Sequence, residues 1–347
     1  MIARRAGTYL MRLLPMKVYG RIVPREVIGF CYHVVSDRAL PHVRHLYQYK
    51  SAAQFEADLV WLKRRFRLVS HAEILEGWKS GRGVGPNAVH VTFDDGYAEC
   101  FSVVRPLLLK HGVPCTFFVN TDVLDNRAML GFNRISLCLD ALKRADGGEV
   151  AAALREAEDA GGEPLPDVAA FALWVRRAVR DPDSRAEAVI ERMRARLGVD
   201  VEAFLRAERP YLTTDQVGQL VRDGFAVGGH TKFHPHLGST RGLERVEEEI
   251  VESCRVVGEI TGTERVPFAF PYDANGVDRA FLRDLLSRHP SVGPLFGTGS
   301  LMPDEDFMVN RMLADPPPAV GRARSNLSGL LSGAYLSELE RLAAESR

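Results

Sequence analysis

Short apolar segments alternate with amphipathic helical patterns along most of this chain of 347 residues. Strands that alternate with helices in sequence pair in parallel, and a closed barrel is one outcome of that arrangement. The predicted strands are 27–32, 88–93, 114–119, 225–229, 267–270 and 306–310. The predicted helices between them are 52–65, 71–79, 98–111, 214–223, 242–261 and 277–288. The alternation therefore predicts an α/β fold built on a parallel sheet.

The middle of the chain departs from this alternation. Residues 126–210 contain helical stretches rich in Ala, Glu and Arg, separated by turns, and show no strand pattern. We interpret this segment as an all-helical insertion that interrupts a barrel formed by residues 26–125 and 211–312. The insertion is either a solvated cap or a lid that shapes a cleft, because loops on one barrel face often determine specificity.

Both ends of the chain differ from the barrel segments. Residues 313–347 begin with a stiff proline-rich linker and continue as an amphipathic helix. Residues 1–25 are basic and amphipathic, and their longest uncharged stretch, Ala6 to Met11, is too short and polar for a signal-peptide core. We expect the N-terminal segment either to lie on the inner membrane surface or to pack on the barrel with its arginines in solvent.

Composition excludes several classes of protein. The formal net charge is zero, with 45 basic and 45 acidic residues, so nothing indicates a nucleic-acid partner. No apolar run reaches the ~18 residues expected of a membrane-spanning helix. The five cysteines are scattered and form no C-x-x-C pair, which is typical of reduced packing residues in the cytosol. We expect a cytoplasmic protein, with peripheral membrane contact through its N-terminus as an option.

Two adjacent carboxylates, Asp94 and Asp95, directly follow the apolar strand at 88–93, and Gly96 comes next. Burying an unpaired carboxylate is costly, so a pair at the end of a core strand indicates a functional site. The alternative is an ordinary turn at Asp95 and Gly96, with Asp94 capping the following helix.

Two histidines, His230 and His234, follow the glycine-bearing strand predicted at 225–229. Imidazole is the commonest metal ligand, and a spacing of four residues lets both rings face the same way on a tight turn. One carboxylate and two imidazoles make a three-ligand site with an open position. That set suits zinc in hydrolysis and also non-haem iron.

A third segment is a short aromatic strand that ends in Phe270, Pro271 and Tyr272. A backbone N–H in this turn is a candidate donor to a developing oxyanion. Like the aspartates and histidines, Tyr272 directly follows a predicted strand. Parallel barrels carry their chemistry at the carboxyl ends of strands, so the three segments are expected at one face.

In this order, the three segments resemble the polysaccharide deacetylases of the NodB-homology type, carbohydrate esterase family 4. The family motif TFDDG is Thr92 to Gly96, the motif H-(S/T)-x-x-H-P is His230 to Pro235, and the third motif ends in Pro271 and Tyr272. Tyr32 and His33 after the first strand match a bacterial branch with a Tyr-His motif on an N-terminal strand. The resemblance covers the barrel segments but not the middle of the chain.

The resemblance implies an irregular TIM-like (β/α)7 barrel and a metal-dependent hydrolase that removes N-acetyl groups from amino sugars of a glycan. Asp95, His230 and His234 are expected to hold the metal, either Zn2+ or another divalent ion such as Co2+, Ni2+ or Fe2+. Asp94 is expected to be the general base.

The same resemblance assigns the remaining roles. The N–H of Tyr272 is expected to bind the oxyanion, and Phe270, Pro271 and Tyr97 are expected to contact the substrate. His33 is expected to protonate the departing amine. An N-acetylated glycan is the expected partner, and the sequence indicates no oligomeric state.

The chain departs from the family pattern in two places. An arginine usually stands just before Pro-Tyr and a glycine just after, whereas here the nearest arginine is Arg265 and Asp273 replaces the glycine. The late Leu-x-x-His motif, which supplies a general acid, is missing, and this is why His33 is the candidate. If His33 is instead a buried core histidine, His236 is next in line.

Three other functions remain open at this point. One is a deformylase or deacylase of a lipid-linked amino sugar, which a basic N-terminus near a membrane would suit. Another is a catalytically inactive carbohydrate-binding homologue, which the missing arginine favours and the presence of both Asp94 and Asp95 opposes. The third is a non-haem iron oxygenase, which shares the ligand set.

Overall fold

Seven parallel strands close into a barrel in the computed structural model, which describes residues 27–178, 180, 185–318 and 323–345. The strands are β1 (Val27–Tyr32), β2 (Arg67–Leu68), β3 (Ala88–Phe93), β4 (Cys115–Val119), β5 (Ala226–Gly229), β6 (Val266–Ala269), β7 (Val292–Gly297) and β8 (Met308–Leu313). The ring closes because β1 pairs with both β3 and β8, while β2 is a short addition beside the start of β3. The predicted TIM-like (β/α)7 barrel is therefore confirmed.

One barrel strand was not predicted from the sequence, and another was predicted a few residues too early. Strand β7 was not predicted because Gly293 and Pro294 interrupt its apolar pattern. A Cβ atom at Gly293 would lie 3.2 Å from the backbone of Val266 and Pro267, so the glycine lets β6 and β7 approach closely. The last strand was predicted at 306–310 and instead runs from Met308 to Leu313.

The helices begin where the sequence supplies caps. Ser51, Ser70 and Thr213 each form a capping box with the Gln or Glu three residues later. The helices are α1 (Ala52–Arg65), α2 (His71–Ser80), α3 (Arg105–His111), α4 (Gly131–Leu142), α5 (Gly147–Gly161), α6 (Val168–Ala178), α7 (Ala186–Arg196), α8 (Val201–Glu208), α9 (Thr214–Arg222), α10 (Leu243–Thr261), α11 (Arg279–Arg288) and α12 (Leu327–Glu345). A π-helical turn at Cys100–Val104 leads into α3, and a 3-10 segment at Thr121–Asn126 follows β4.

The helices between β4 and β5 have an apolar core of their own. Side chains of α4 to α7 pack together around Phe171 and Trp174, so Trp174 is a core residue. A second cluster joins α4 and α8 to the loop after β1, through residues such as Leu137, Leu205 and Val34. The described residues of this segment thus form five helices, α4 to α8, and the division of the chain at 126 and 210 stays a prediction.

Two expectations concern the rest of the chain. All five cysteines are buried and unpaired with one another. Within the described ranges, no helix is both long enough and apolar enough to cross a membrane. The basic amphipathic segment predicted at 1–25 lies outside the described residues.

Candidate active site

A cavity of about 260 Å³ opens at the carboxyl ends of the barrel strands. His33 follows β1, the two aspartates follow β3, and the two histidines of the second motif follow β5. All five of these side chains line the cavity, as predicted from their positions after strands. The five lining residues with this shared position are His33, Asp94, Asp95, His230 and His234.

The loops that carry these side chains are held in unusual backbone conformations. Asp95, Thr231, His234 and Tyr272 all have φ between 62° and 69°, which non-glycine residues rarely adopt. Such conformations persist only where surrounding contacts enforce them, and they concentrate at functional sites. In the second motif the Thr231 hydroxyl accepts a hydrogen bond of 2.9 Å from the N–H of His234, which closes the turn.

Asp95, His230 and His234 form a compact group of three ligands. Oδ1 of Asp95 lies 3.5 Å from Nε2 of His230 and 3.4 Å from Nε2 of His234. Tetrahedral ligands bound at about 2.0–2.2 Å are separated from one another by roughly 3.3–3.6 Å. The distances from Asp95 Oδ1 to the two nitrogens therefore match those between atoms that bind one divalent ion.

The chemistry of the donors also fits a metal. Oδ1 of Asp95 is buried, and no hydrogen-bond donor satisfies it among the described residues. Nδ1 of His230 lies 2.8 Å from the carbonyl oxygen of Ala269, so this nitrogen carries the proton and Nε2 presents its lone pair. Burial lowers the pKa of His234 to about 3, which keeps that ring neutral and able to bind a cation. The residues present thus fit a metal of the zinc class.

Asp94 has a different partner, an arginine that the sequence analysis did not identify. The guanidinium of Arg311, on β8, donates to both Asp94 oxygens at 2.6 and 2.9 Å. Arg311 is completely buried, and it also donates to the hydroxyl of Thr92 and the carbonyl of Gly297. Strand β8 thus supplies a buried arginine beside Asp94, whereas no arginine stands just before Pro271 in the third motif. Arg265, the nearest in sequence, lies over the ring of Trp78 instead.

The barrel interior is shaped around Arg311. Its guanidinium lies 5.2 Å from the ring centre of Phe118 and 5.9 Å from that of Phe296. Gly29 is its register partner on β1, and a Cβ atom there would lie 2.5 Å from Cγ of Arg311. Glycine is required at this point because any side chain would occupy the space that the arginine fills.

This pairing fixes the charge of Asp94. Burial alone would raise the pKa of the Asp94 carboxyl, but the charge and hydrogen bonds of Arg311 outweigh burial and hold that pKa well below its usual range. Asp94 is therefore ionised throughout the pH range in which the protein is expected to work.

His33 is held by a second residue that the sequence analysis missed. Asp315 accepts hydrogen bonds from the backbone N–H of His33 at 2.8 Å and from Nδ1 at 2.7 Å. Burial lowers the pKa of His33, but the charge of Asp315 and its hydrogen bond outweigh burial and raise the pKa to about 10. Asp315 had been assigned to the proline-rich linker, and only the fold brings it beside β1.

A second group of potential metal ligands lies next to the first and consists of Cys31, His33 and Asp94. Three observations oppose the binding of a cation by this group. Both Asp94 oxygens already accept hydrogen bonds from Arg311, Nδ1 of His33 is bound to Asp315, and burial raises the pKa of the Cys31 thiol, which keeps it protonated. The Asp95 group is the better metal site.

The third motif contributes Tyr272 and Phe270 to the cavity. The N–H of Tyr272 has no acceptor among the described residues, so it is available as a donor. Pro271 is buried and is not one of the lining residues. His236, the reserve candidate for the acid, lies outside this cavity, with its ring nitrogens near Ser239 and Asp273.

Tyr97 was expected to contact the substrate, and this expectation is wrong for its side chain. The ring is fully buried against Tyr211, and its hydroxyl accepts a hydrogen bond of 2.9 Å from the side chain of Asn133. Asn133 lies on α4, so Tyr97 connects the aspartate loop to the helical segment. Its position next to Gly96 in the sequence suggested that its side chain lines the cavity, whereas the side chain points into the core.

Residues that the sequence did not single out complete the cavity wall. Phe132 of α4 packs edgewise on the ring of His234, with 4.8 Å between ring centres. Arg180, also from the segment between β4 and β5, lines the same cavity, as do the apolar residues Leu46 and Leu313. The helical segment therefore forms part of the site.

Comparison with known proteins gives the following matches. The model of a family described as "Polysaccharide deacetylase" matches residues 81–163 and 182–285, more than half of the chain. The matched ranges include the aspartate pair and both histidines of the second motif, but not His33, Arg311 or Asp315. A search of the curated proteins found no match.

Solved structures with a similar fold include the following two. IcaB from Ammonifex degensii is 17% identical with a TM-score of 0.51, over 89% of this chain and 96% of that protein. The Streptococcus pyogenes deacetylase PplD, solved in complex with acetate, is 13% identical with a TM-score of 0.50, over 84% of this chain and 92% of that protein. At such low identity, these matches show similarity of fold.

The structure makes a prediction about the Asp94–Arg311 pair. Replacing Arg311 with Met leaves a buried carboxylate without its partner, which should lower the free energy of unfolding by about 3–5 kcal/mol. The double variant Asp94→Asn/Arg311→Met should lose less stability than the sum of the single variants, by about 0.5–3 kcal/mol. Denaturant unfolding of the four proteins measures this coupling.

A more exposed ion pair, Arg105 with Asp223, provides the control. The same cycle there should give a coupling of at most about 1 kcal/mol. Additive losses at Asp94 and Arg311 would show that the pair does not act as a unit.

Proposed function

Because the chain belongs to the polysaccharide deacetylase family, we propose that it is a metal-dependent hydrolase that removes N-acetyl groups from the amino sugars of a polysaccharide or oligosaccharide. One observation carries this proposal beyond the family name. Two adjacent carboxylates have different environments. Asp94 is bound by a guanidinium and lies 4.0 Å from Nε2 of His230, whereas Asp95 lies 3.5 and 3.4 Å from the Nε2 atoms of two imidazoles. One carboxylate is thereby free to act on a proton while the other holds a cation.

Asp95, His230 and His234 would hold the metal. A divalent ion such as Zn2+ would act there as a Lewis acid, which would polarise the acyl oxygen and lower the pKa of a bound water to about 7. Co2+, Ni2+ and Fe2+ also suit a carboxylate with two imidazoles.

Asp94 would accept the proton of the attacking water. Its low pKa keeps the carboxylate ionised and ready, but it also makes Asp94 a weak base. Asp94 is therefore suited to accept the proton while the water attacks and to release it soon afterwards, rather than to remain protonated. Arg311 fixes both oxygens of Asp94, so the base is oriented before the substrate arrives.

His33 would donate a proton to the departing amine. Asp315 holds Nδ1 of the ring, which leaves Nε2 as the nitrogen available to a substrate. The raised pKa keeps this proton in place at neutral pH. The N–H of Tyr272 would donate to the oxygen of the tetrahedral intermediate.

Arg311 also bears on the alternatives. The missing arginine and Asp273 favoured an inactive carbohydrate-binding homologue, whereas Arg311 supplies a guanidinium to the proposed base. No contact of the described residues favours redox chemistry over hydrolysis. Hydrolysis of an N-acyl group is therefore the reaction that the geometry supports best, and the family match favours acetyl over formyl or another acyl group.

Two substitutions of nearly equal size separate the roles of the carboxylates. Asp94→Asn should abolish acetate release yet leave zinc binding largely intact, because an amide cannot accept the proton and Asp94 is not a proposed ligand. Asp95→Asn should weaken zinc binding itself. Acetate release from N-acetylglucosamine oligomers and the zinc content after dialysis are measured for both variants and the wild type. Equal zinc loss in the two variants would mean that the roles are assigned wrongly.

The proposed acid predicts a pH dependence. His33 donates only when protonated, and its folded pKa of about 10 lies above the ordinary 6.5, so its contribution persists through neutral pH and is lost as the pH rises through about 10. Asp315→Asn removes the charge that raises this pKa. The alkaline limb of kcat/KM should therefore move to lower pH in that variant.

Two further variants test the same assignment. His33→Ala should lower kcat by roughly 10²–10⁴-fold and remove the alkaline limb. Asp223→Asn, which changes a carboxylate remote from the cavity, should leave the limb where it is. A fully active His33→Ala enzyme would leave the acid unassigned.

A further inference from the structure

Arg180 places a positive charge at the proposed active site. It follows α6 in the helical segment between β4 and β5, and it lines the same cavity as the two aspartates. Its guanidinium carbon lies 4.7 Å from the centre of the Tyr272 ring. The Tyr272 ring in turn packs edgewise on His234, with 4.7 Å between ring centres. The guanidinium is thus separated from a proposed metal ligand by one aromatic ring.

The environment of Arg180 differs from that of other arginines in the same segment. Four of those pair with glutamates of the segment, namely Arg134, Arg177, Arg194 and Arg196. Within the described part of the chain, the guanidinium of Arg180 contacts no carboxylate, and it lies over the ring of Tyr272. None of the described residues therefore neutralises its charge.

The rest of the cavity leaves this charge available. The lining carboxylates are Asp94, which is paired with Arg311, and Asp95, which faces the two histidines. Much of the remaining wall is aromatic or aliphatic, with Phe132 and Leu313 as examples. A charge beside such a wall interacts more strongly with an opposite charge than it would in bulk water.

The position of this exposed guanidinium over the ring suits the recognition of an anion. A guanidinium held over an aromatic ring can still direct N–H groups to an acceptor beside the ring. These donors match the two oxygens of a carboxylate or phosphate. A glycan bound with its acetamide at the metal ligands would bring a neighbouring sugar to this edge.

We propose that Arg180 binds a carboxylate or phosphate on a sugar next to the one that is deacetylated, and that the substrate class is an anionic N-acetylated glycan. This inference rests on the proposed deacetylase function. It makes Arg180 a specificity-determining residue supplied by the helical segment, while the barrel supplies the chemistry.

Three oligosaccharides of equal length test the proposal. One is a neutral N-acetylglucosamine oligomer, one carries a uronic acid beside the acetylated sugar, and one carries a phosphate monoester there. Wild-type enzyme should have a higher kcat/KM for at least one anionic oligomer than for the neutral one. In Arg180→Gln, this anionic-to-neutral ratio should fall about tenfold, mainly through KM, as expected for the loss of a charged hydrogen bond. The more effective anion identifies the group.

Arg192→Gln is the matched control, because Arg192 is exposed on α7 and does not line the cavity. This variant should keep the wild-type ratio. Raising the salt concentration should reduce the wild-type preference but have little effect on the ratio in Arg180→Gln. A wild-type enzyme without preference, or a ratio that Arg180→Gln leaves unchanged, would overturn the proposal.

A binding measurement separates this proposal from the deacetylase function. Calorimetry with the zinc-loaded protein gives the affinity of the same oligomers for the wild type and for Arg180→Gln. If the wild type releases no acetate from any oligomer, the proposed function fails, and anion recognition is then judged by binding alone. About tenfold weaker binding of an anionic oligomer to Arg180→Gln supports the role of Arg180, and equal binding rejects it.

Discussion

The buried ion pair between Arg311 and Asp94 is the interaction on which the rest of the site depends. A guanidinium inside a barrel is tolerated only when its donors are satisfied, and here Asp94, Thr92 and Gly297 accept them. The absence of a side chain at Gly29 makes room for it. Because Arg311 occupies both oxygens of Asp94, the adjacent Asp95 is the carboxylate left to face the histidines.

Much of this arrangement could be predicted from sequence because it is encoded locally. Asp94, Asp95, His230 and His234 each follow a strand within a few residues, and parallel strands bring their carboxyl ends to one face. The six strands predicted from apolar runs all exist, with the last displaced by a few residues. Strand β7 was missed because its glycine and proline break the pattern.

The residues that tune the site could not be predicted in the same way. Arg311 is 217 positions from Asp94, and Asp315 is 282 positions from His33, so no local pattern connects them. An arginine within an apolar strand would have been a signal, since a buried charge requires a partner, but the strand predicted at 306–310 ended one residue before Arg311. The prediction for Tyr97 was wrong for the opposite reason. Its closeness in sequence to the aspartates suggested that it contacts the substrate, whereas its side chain is fully buried in the core.

The central claim is that the adjacent aspartates have separate roles: Asp94 is held by Arg311 as the base, and Asp95 binds a metal. Anomalous diffraction at the zinc edge, on crystals grown with Zn2+, tests this claim most directly. The account predicts one strong peak at about 2.0–2.2 Å from Asp95, His230 and His234, with Asp94 still bound to Arg311. A peak bonded to Asp94, within the group that contains Cys31 and His33, would contradict it.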